Sequence, residues 1–239
     1  MITSIGCPNP TDINNQYPVN YIRLKKDDNS EINIAKSTQL SNLNINSTLE
    51  TPVIATNKSG NSILAWVDNA KGTRDVFAQR IDNNGNPIGK VLEVNTNTRD
   101  DQHLPAVAIN ENGSFIIVWS TKGQDGDGYG VYARRYDKNG IYSGNEFKVN
   151  TSTTGDQWIP SVAMTNNGGF VVVWESTKDR GSYNIVGQKF DKMGNPFGTE
   201  FFINSSSKGS QEFPKISMDS VGNFVVVWTS NQNRDFLNP

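Results

Sequence analysis

One hydrophobic pattern occurs four times along the chain: a run of apolar, mostly β-branched residues that ends in tryptophan. The copies are Ile63–Trp66, Phe115–Trp119, Phe170–Trp174 and Phe224–Trp228, of which the last two are nearly identical. A continuous apolar run that is entered through a glycine-containing turn predicts a strand buried on both faces. The tryptophans are 53, 55 and 54 residues apart. A repeat of this length is typical of a propeller or a solenoid.

Each repeat predicts four strands, which we name A to D. A proline opens strand A, the third residue after it is small, and the tryptophan-ended run is strand B. Strand C ends in a hairpin signal, such as Asp82-Asn83-Asn84-Gly85 in the first repeat. Strand D alternates apolar and polar residues, as in Leu92-Glu93-Val94, which is typical of an outer strand wet on one side. Four antiparallel strands in a repeat of this length describe a propeller blade.

The two ends of the chain together predict a closed ring. The fourth repeat reaches Pro239 just after strand B, and the N-terminal pair Tyr21–Lys25 and Glu31–Ile34 aligns with strands C and D. We therefore predict an all-β fold, a four-bladed β-propeller of four-stranded antiparallel blades, closed by N-terminal strands that complete the last blade. Such closure removes an exposed sheet edge. A fragment of a longer propeller and half of an eight-bladed dimer are the alternatives.

The domain boundaries follow from the same repeat. We predict an irregular N-terminal arm at residues 1–16 and a single β-propeller over residues 17–239. Its blades span about 49–101, 102–156, 157–210, and 211–239 together with 17–48. The hydrophobic content of 35% is low for one thick core, and it suits many short strands joined by polar turns.

Four segments of the second repeat carry a resemblance to known proteins: Gln102–Ala108, Gly113–Trp119, Asp127–Gly140 and Glu146–Thr151. They resemble the propeller-type repeats of large bacterial secreted and surface proteins, which often accompany hemolysin-type calcium-binding segments. The resemblance covers residues 49–239. It implies an extracellular or cell-surface location, although no signal peptide is visible at the start of the chain. It implies no established activity, and a likeness of four blades to the hemopexin-like architecture is architectural alone.

Charge and composition exclude several classes of function. The net charge is −2 and no Lys/Arg run occurs, so the electrostatic footprint of a nucleic-acid binder is missing. No apolar stretch is long enough to predict a membrane span. Cys7 is the single cysteine, which excludes an internal disulfide and a cysteine-based zinc site. We predict a monomer.

Catalytic motifs are scarce. His103 is the single histidine, and no nucleophile elbow, P-loop or dinucleotide-binding glycine motif occurs. Paired carboxylates remain a candidate, because 24 acidic residues offer many pairs. Two carboxyl groups about 5 or about 6.5–9.5 Å apart in a deep pocket would favour polysaccharide hydrolysis.

The candidate ligand-binding residues lie in the D–A and B–C loops, which connectivity brings to one face of the disc. Loops held by a rigid scaffold are the usual seat of binding. One D–A position holds Glu50, His103, Trp158 and Glu212 in turn. We predict ligand binding by Trp158, which offers a stacking platform for a sugar ring, and by His103, Lys178 and Arg180. Packing of Trp158 against a neighbouring loop is the alternative.

A calcium site is a second candidate on the same face. Asp125 and Asp127 lie two residues apart among glycines, which suits the oxygen preference of Ca²⁺, but a full site needs six to eight oxygens. A plain flexible turn is the alternative. We predict no other cofactor.

These observations support three hypotheses for the function. The first is a non-catalytic binding or adhesion module of a secreted or surface protein, with a glycan or another surface protein as partner. The second is a hydrolase that acts on polysaccharide through loop carboxylates. The third is a structural spacer domain. The sequence favours the first and leaves catalysis open.

Overall fold

The computed structural model describes residues 20–26, 32–39, 49–69, 71–177, 182–206 and 208–231, with the backbone alone for the first two segments. These two segments are the strands β1 (Asn20–Lys26) and β2 (Ile32–Gln39), which pair antiparallel with each other. The predicted N-terminal strand pair is therefore present.

Three of the four repeats form four-stranded antiparallel sheets in the predicted order A to D. The first sheet contains β3 (Leu49–Thr56), β4 (Ser62–Asp68), β5 (Asp75–Ile81) and β6 (Pro87–Glu93). The second contains β7 (Gln102–Ile109), β8 (Phe115–Lys122), β9 (Tyr129–Tyr136) and β10 (Phe147–Lys148). The third contains β11 (Gln157–Met164), β12 (Phe170–Ser176), β13 (Asn184–Phe190) and β14 (Pro196–Phe202). The fourth repeat contributes a two-stranded sheet of β15 (Gln211–Met218) and β16 (Phe224–Ser230).

Neighbouring sheets pack face to face, and their A strands adjoin one another in the order β3, β7, β11, β15. Between the first two sheets, small Ala65 and Ala78 meet the large side chains of Phe115, Ile117 and Trp119 in one buried cluster. Equivalent clusters fill the second and third junctions. The fold is thus a row of propeller blades, in which the doubly buried B strands match the continuous apolar runs of the sequence.

The strand-B tryptophans of the first three blades are buried, as the repeat predicts. In the second blade the indole N–H of Trp119 donates to the side-chain carbonyl of Gln102 at 2.8 Å. The amide of Gln102 in turn donates to the Asp100 carbonyl at 2.7 Å, in the connection from the first blade. In the first blade Leu49 stands where Gln102 does, and the buried indole N–H of Trp66 has no hydrogen-bond partner. The recurring glutamine therefore joins the buried tryptophan to the inter-blade connection.

Basic side chains on strand C tie each blade to the next. Arg80 donates to the backbone carbonyl of Asn139 at 2.6 Å, in the C–D turn of the second blade. Arg135 donates to the carbonyl of Lys192 at 2.5 Å, in the C–D turn of the third. The third-blade equivalent, Lys189, has its ammonium 5.4 Å from the ring centroid of Phe224.

The fourth blade differs from the others in its exposure. Val225 and Val227 of β16 are 68% and 59% exposed, and Trp228 is 37% exposed. The equivalent residues of the third blade, Val173 and Trp174 among them, are buried. In the described chain β15 and β16 form a sheet separate from that of β1 and β2. Closure of the ring by the N-terminal strands, and the number of four blades, therefore stay predictions.

Candidate functional site

A β-bulge interrupts the start of every A strand. The bulge directly follows the variable position of its blade, which is Glu50, His103, Trp158 or Glu212. The next residue has a positive φ of 48–57° in each blade, namely Thr51, Leu104, Ile159 and Phe213. Such a backbone costs about 1–3 kcal/mol for a non-glycine residue, and a bulge re-aims the side chains beside it. The variable positions thus lie in strands, whereas the sequence predicted that they lie in loops.

A second repeat position lies between successive variable positions. It holds Arg74 and Tyr183, each one residue before strand C of its blade, and Tyr129, the first residue of β9. The carbonyls of Arg74 and Tyr183 accept backbone hydrogen bonds from Gln102 and Gln211, at 2.9 and 2.8 Å, which places each beside the A strand of the following blade. The two positions together form a row that we name the inner belt: Glu50, Arg74, His103, Tyr129, Trp158, Tyr183 and Glu212.

The first-blade end of the inner belt is ionic. The guanidinium of Arg74 lies 3.3 Å from a Glu50 carboxylate oxygen and 3.2 Å from an Asp101 oxygen. The backbone N–H of Arg74 donates to Asp101 at 3.0 Å, and this bond, with the guanidinium, holds the pKa of Asp101 below its usual range. His103 Nε2 is 4.0 Å from Asp101. Burial lowers the pKa of His103, so its imidazole is neutral at pH 7.

The centre of the inner belt is aromatic. The rings of His103 and Tyr129 have centroids 5.9 Å apart. Tyr129 and Trp158 are 5.6 Å apart with planes inclined by 33°, and Trp158 and Tyr183 are 6.1 Å apart with planes inclined by 29°. All four rings are partly exposed. Trp158 therefore packs between two tyrosines and is also partly exposed to solvent. Packing and ligand binding, the two alternatives that the sequence left open, are compatible with each other.

A buried carboxyl group lies behind Trp158. Glu175 pairs directly with Trp158 across the ladder of β11 and β12, and it is 1% exposed. One oxygen accepts a hydrogen bond of 2.5 Å from the backbone N–H of Phe213, the bulge residue of the next blade. The buried indole N–H of Trp158 has no hydrogen-bond partner of normal geometry, although its dipole acts on the carboxyl group.

The surroundings of Glu175 favour its neutral form. Burial raises the pKa of the Glu175 carboxyl, and the negative charge of Glu212 acts in the same direction. The N–H groups of Phe213 and Trp158 oppose this shift. Burial raises the pKa of the Tyr183 hydroxyl, and the negative charges of Asp156, Glu175 and Glu212 act in the same direction. Glu175, Glu212 and Tyr183 therefore form one electrostatic group at the fourth-blade end of the inner belt.

Glu175 was not among the residues predicted from the sequence, although the repeat contains a signal for it. The residue directly after the strand-B tryptophan is Val67, Ser120, Glu175 or Thr229 in the four copies. Glu175 is the single charged residue at that position. A charge in one copy of a buried repeat position cannot be a requirement of the fold, and it marks a functional candidate.

Two of the four residues predicted to bind a ligand come together in the structure. His103 and Trp158 both contact Tyr129, which the sequence analysis did not name as a candidate. Lys178 and Arg180 lie outside the described residues.

The two candidate calcium ligands bind protein groups. Asp125 accepts a hydrogen bond from the side chain of Asn150 at 2.9 Å. Asp127 accepts one from the backbone N–H of Gly155, also at 2.9 Å. Within the described ranges, no group of three or more His, Cys, Asp or Glu side chains could hold a metal ion. Nor does the described part of the chain contain a helix long and apolar enough to cross a membrane.

Comparisons with known proteins identify the fold class. No family model and no curated protein sequence matches the chain. Among solved structures, an endo-arabinase of Bacteroides thetaiotaomicron is similar at 16% identity and a TM-score of 0.50, over 77% of this chain and 70% of that one. An α-L-arabinanase of Penicillium chrysogenum with arabinobiose is similar at 16% identity and a TM-score of 0.50, over 90% and 68%. An α-L-arabinofuranosidase of Fusarium graminearum with an iminosugar inhibitor is similar at 14% identity and a TM-score of 0.54, over 86% and 61%.

These likenesses identify a β-propeller fold, and the chain spans about two thirds of the length of those proteins. They also correct the sequence-based function. The prediction of a non-catalytic binding or adhesion module is wrong, because these neighbours in fold are arabinases and an arabinofuranosidase, which favour the hydrolase alternative.

Proposed function

We propose that this chain is a glycoside hydrolase that cleaves an arabinan-type polysaccharide at the inner belt. The observation that carries the proposal is Glu175, a buried carboxyl group whose pKa is raised by burial and, to a smaller extent, by the negative charge of a second carboxyl group, Glu212. Two carboxyl groups in different environments are what hydrolysis of a glycosidic bond requires, since one acts as an acid and the other as a base or nucleophile. The arabinases and the arabinofuranosidase of the same fold suggest the substrate class.

Glu175 is the proton donor in this proposal. Its neutral carboxyl group protonates the glycosidic oxygen while the bond from that oxygen to the sugar carbon breaks. Burial behind Trp158 raises the pKa of the group toward the working pH, where general acid catalysis is most effective.

Glu212 is the second carboxylate. It takes a proton from the attacking water in an inverting reaction, or it attacks the sugar carbon itself in a retaining one. The configuration of the released sugar distinguishes the two, because the separation of the carboxyl groups differs between the mechanisms.

The ionic end of the inner belt binds and orients the sugar hydroxyls. Arg74 keeps Glu50 and Asp101 in fixed positions, at 3.3 and 3.2 Å from its guanidinium. Charged groups make the stronger hydrogen bonds to neutral partners, so these carboxylates are good acceptors for hydroxyl groups.

The experiment is an assay of the purified chain on debranched arabinan and on 4-nitrophenyl α-L-arabinofuranoside, with detection of new reducing ends and nitrophenol. We expect product from the wild type and a large loss in Glu175→Gln. Glu93→Gln is the matched control, since Glu93 is an exposed glutamate of an outer strand. Absence of product from wild type on both substrates contradicts the proposal.

We also propose that β1 and β2 complete the fourth blade as its strands C and D. The exposed valines of β16 and the ammonium of Lys189 support this closure. Arg80 and Arg135 each donate to a C–D turn of the next blade, and closure would give Lys189 the same kind of partner in the fourth blade. A cleft of about 730 Å³ lined by Lys189 and Phe224 offers the space for it.

We propose an extracellular or cell-surface location. It rests on the resemblance of the repeats to those of secreted bacterial proteins and on the polymeric substrate, which is too large to enter a cell. Secretion is tested by detection of the native protein in culture medium.

A further inference from the structure

We infer that Tyr129, Trp158 and Tyr183 bind consecutive sugar units of one polysaccharide chain, so that the enzyme cleaves inside the chain and not at its end. This inference rests on the proposed function, and it adds the length and the position of the bound substrate.

The three aromatic residues are not a requirement of the fold. The blade-start position of strand C holds Tyr129 and Tyr183, but it holds Arg74 in the first blade. The variable position of strand A holds Trp158 in the third blade and Glu50 in the first. Because the first blade forms the same four-stranded sheet without these rings, packing alone does not demand them.

The rings form one continuous row. Successive centroids are 5.6 and 6.1 Å apart, a step similar to the length of one sugar unit, and the planes turn by 33° and 29° from ring to ring. Each ring is partly exposed. Aromatic rings in this setting bind the apolar faces of sugars, and their near-regular step matches a polymer better than a single unit.

The row starts at the carboxyl groups and leads away from them. The carbonyl of Tyr183 accepts a backbone hydrogen bond of 2.8 Å from Gln211, the residue before Glu212, and Trp158 lies directly opposite Glu175. From there the row continues through Tyr129 to His103, next to Asp101. A chain that lies along the rings therefore has several units on one side of the cleavage point, which a site for terminal units alone does not need.

The test compares two substrates for variants of Tyr129, which is separated from Tyr183 by Trp158. Tyr129→Ala removes the ring at the end of the row opposite to Tyr183, and it keeps the backbone N–H that donates to Asp156 at 3.1 Å. We expect its KM for debranched arabinan to rise about tenfold, on the scale of one lost stacking contact. We expect a much smaller change for 4-nitrophenyl α-L-arabinofuranoside. Tyr129→Phe, which keeps the ring, restores the KM for arabinan.

Tyr142→Ala is the control, because Tyr142 is an exposed tyrosine of the same blade that stacks on Arg134 and lies outside the inner belt. It leaves the KM for both substrates unchanged. Equal effects of Tyr129→Ala on both substrates overturn the inference.

A second readout uses the wild type alone and does not depend on the folding of a variant. Cleavage inside chains lowers the viscosity of an arabinan solution well before most reducing ends appear, and it releases oligosaccharides first. Release of single sugars only, at all times, overturns the inference and leaves the proposed hydrolase intact. A wild type that acts on neither substrate removes the proposed function itself.

Discussion

Trp158 and Glu175 lie directly opposite each other across the ladder of β11 and β12. The pair joins an aromatic ring that reaches solvent to a carboxyl group that is buried. The other blades have His103 opposite Ser120 and Glu50 opposite Val67 at the same place. One blade of the repeat therefore combines a partly exposed tryptophan with a buried carboxyl group of raised pKa.

The raised pKa of Glu175 predicts a pH dependence of stability. Burial makes the folded state bind this proton more tightly than the unfolded state does. The contribution of Glu175 to stability is therefore full below its unfolded pKa of about 4.3 and is lost as the pH rises through the folded pKa. Glu175→Gln keeps an acceptor for Phe213 and carries no charge. We expect it to be more stable than wild type at pH 7 and equally stable near pH 4, as measured by urea denaturation. Lower stability of this variant at pH 7 would show that the ionised carboxylate of Glu175 stabilises the folded state.

The burial of Trp174 predicts a large loss of stability when its side chain is removed. It is 1% exposed and packs in the cluster between the second and third blades. Trp174→Ala should lower the free energy of unfolding by about 3–5 kcal/mol, as large aromatic truncations in cores do. A loss below about 1 kcal/mol in denaturant titration would contradict its place in the core.

Gln102→Leu recreates in the second blade the pair that Leu49 and Trp66 form in the first. It leaves the indole N–H of Trp119 and the carbonyl of Asp100 without their hydrogen bonds. We expect a loss of about 1–3 kcal/mol in the free energy of unfolding, since a buried polar group without a partner costs that much. Unchanged stability would mean that water or a neighbour replaces the glutamine.

Closure predicts that Trp228 is buried in the whole chain. In that case Trp228→Ala costs as much as Trp174→Ala, about 3–5 kcal/mol. Deletion of residues 20–39 removes β1 and β2 and should cost several kcal/mol. It should also shift the tryptophan fluorescence of the protein to the red, because Trp228, one of five tryptophans, becomes more exposed. Deletion of residues 1–16 is the control and should change neither. A melt that is unaffected by the first deletion contradicts closure.

The strands and their order could be predicted from the sequence because the repeat supplies the same evidence several times. A single apolar run such as Phe170–Trp174 is ambiguous, but four runs with one spacing and one set of turn signals are not. The N-terminal pair was predicted for the same reason. Closure was not established in this way, because it depends on a contact between Ile32–Gln39 or Asn20–Lys26 and the far end of the chain.

The candidate site was only partly predictable. Variation at one repeat position identified Trp158 and His103, since a fold does not need unlike residues at one place. Tyr129 and Tyr183 join them through contacts between blades, which no local pattern records. The raised pKa of Glu175 could not be predicted from the sequence, because its main cause is burial in the folded structure. Because Glu175 was not among the predicted site residues, the sequence favoured a non-catalytic module.

The most direct test of the account measures Glu175→Gln on two substrates that differ in their need for an acid. Cleavage of arabinan requires protonation of the leaving oxygen, and removal of a general acid costs about 10²–10⁴-fold in rate. A 2,4-dinitrophenyl α-L-arabinofuranoside has a leaving group that departs without a proton. We predict a loss of that size in kcat on arabinan and a small loss on the dinitrophenyl substrate. Equal losses on both substrates, or no loss on arabinan, would contradict the role of Glu175 as the proton donor.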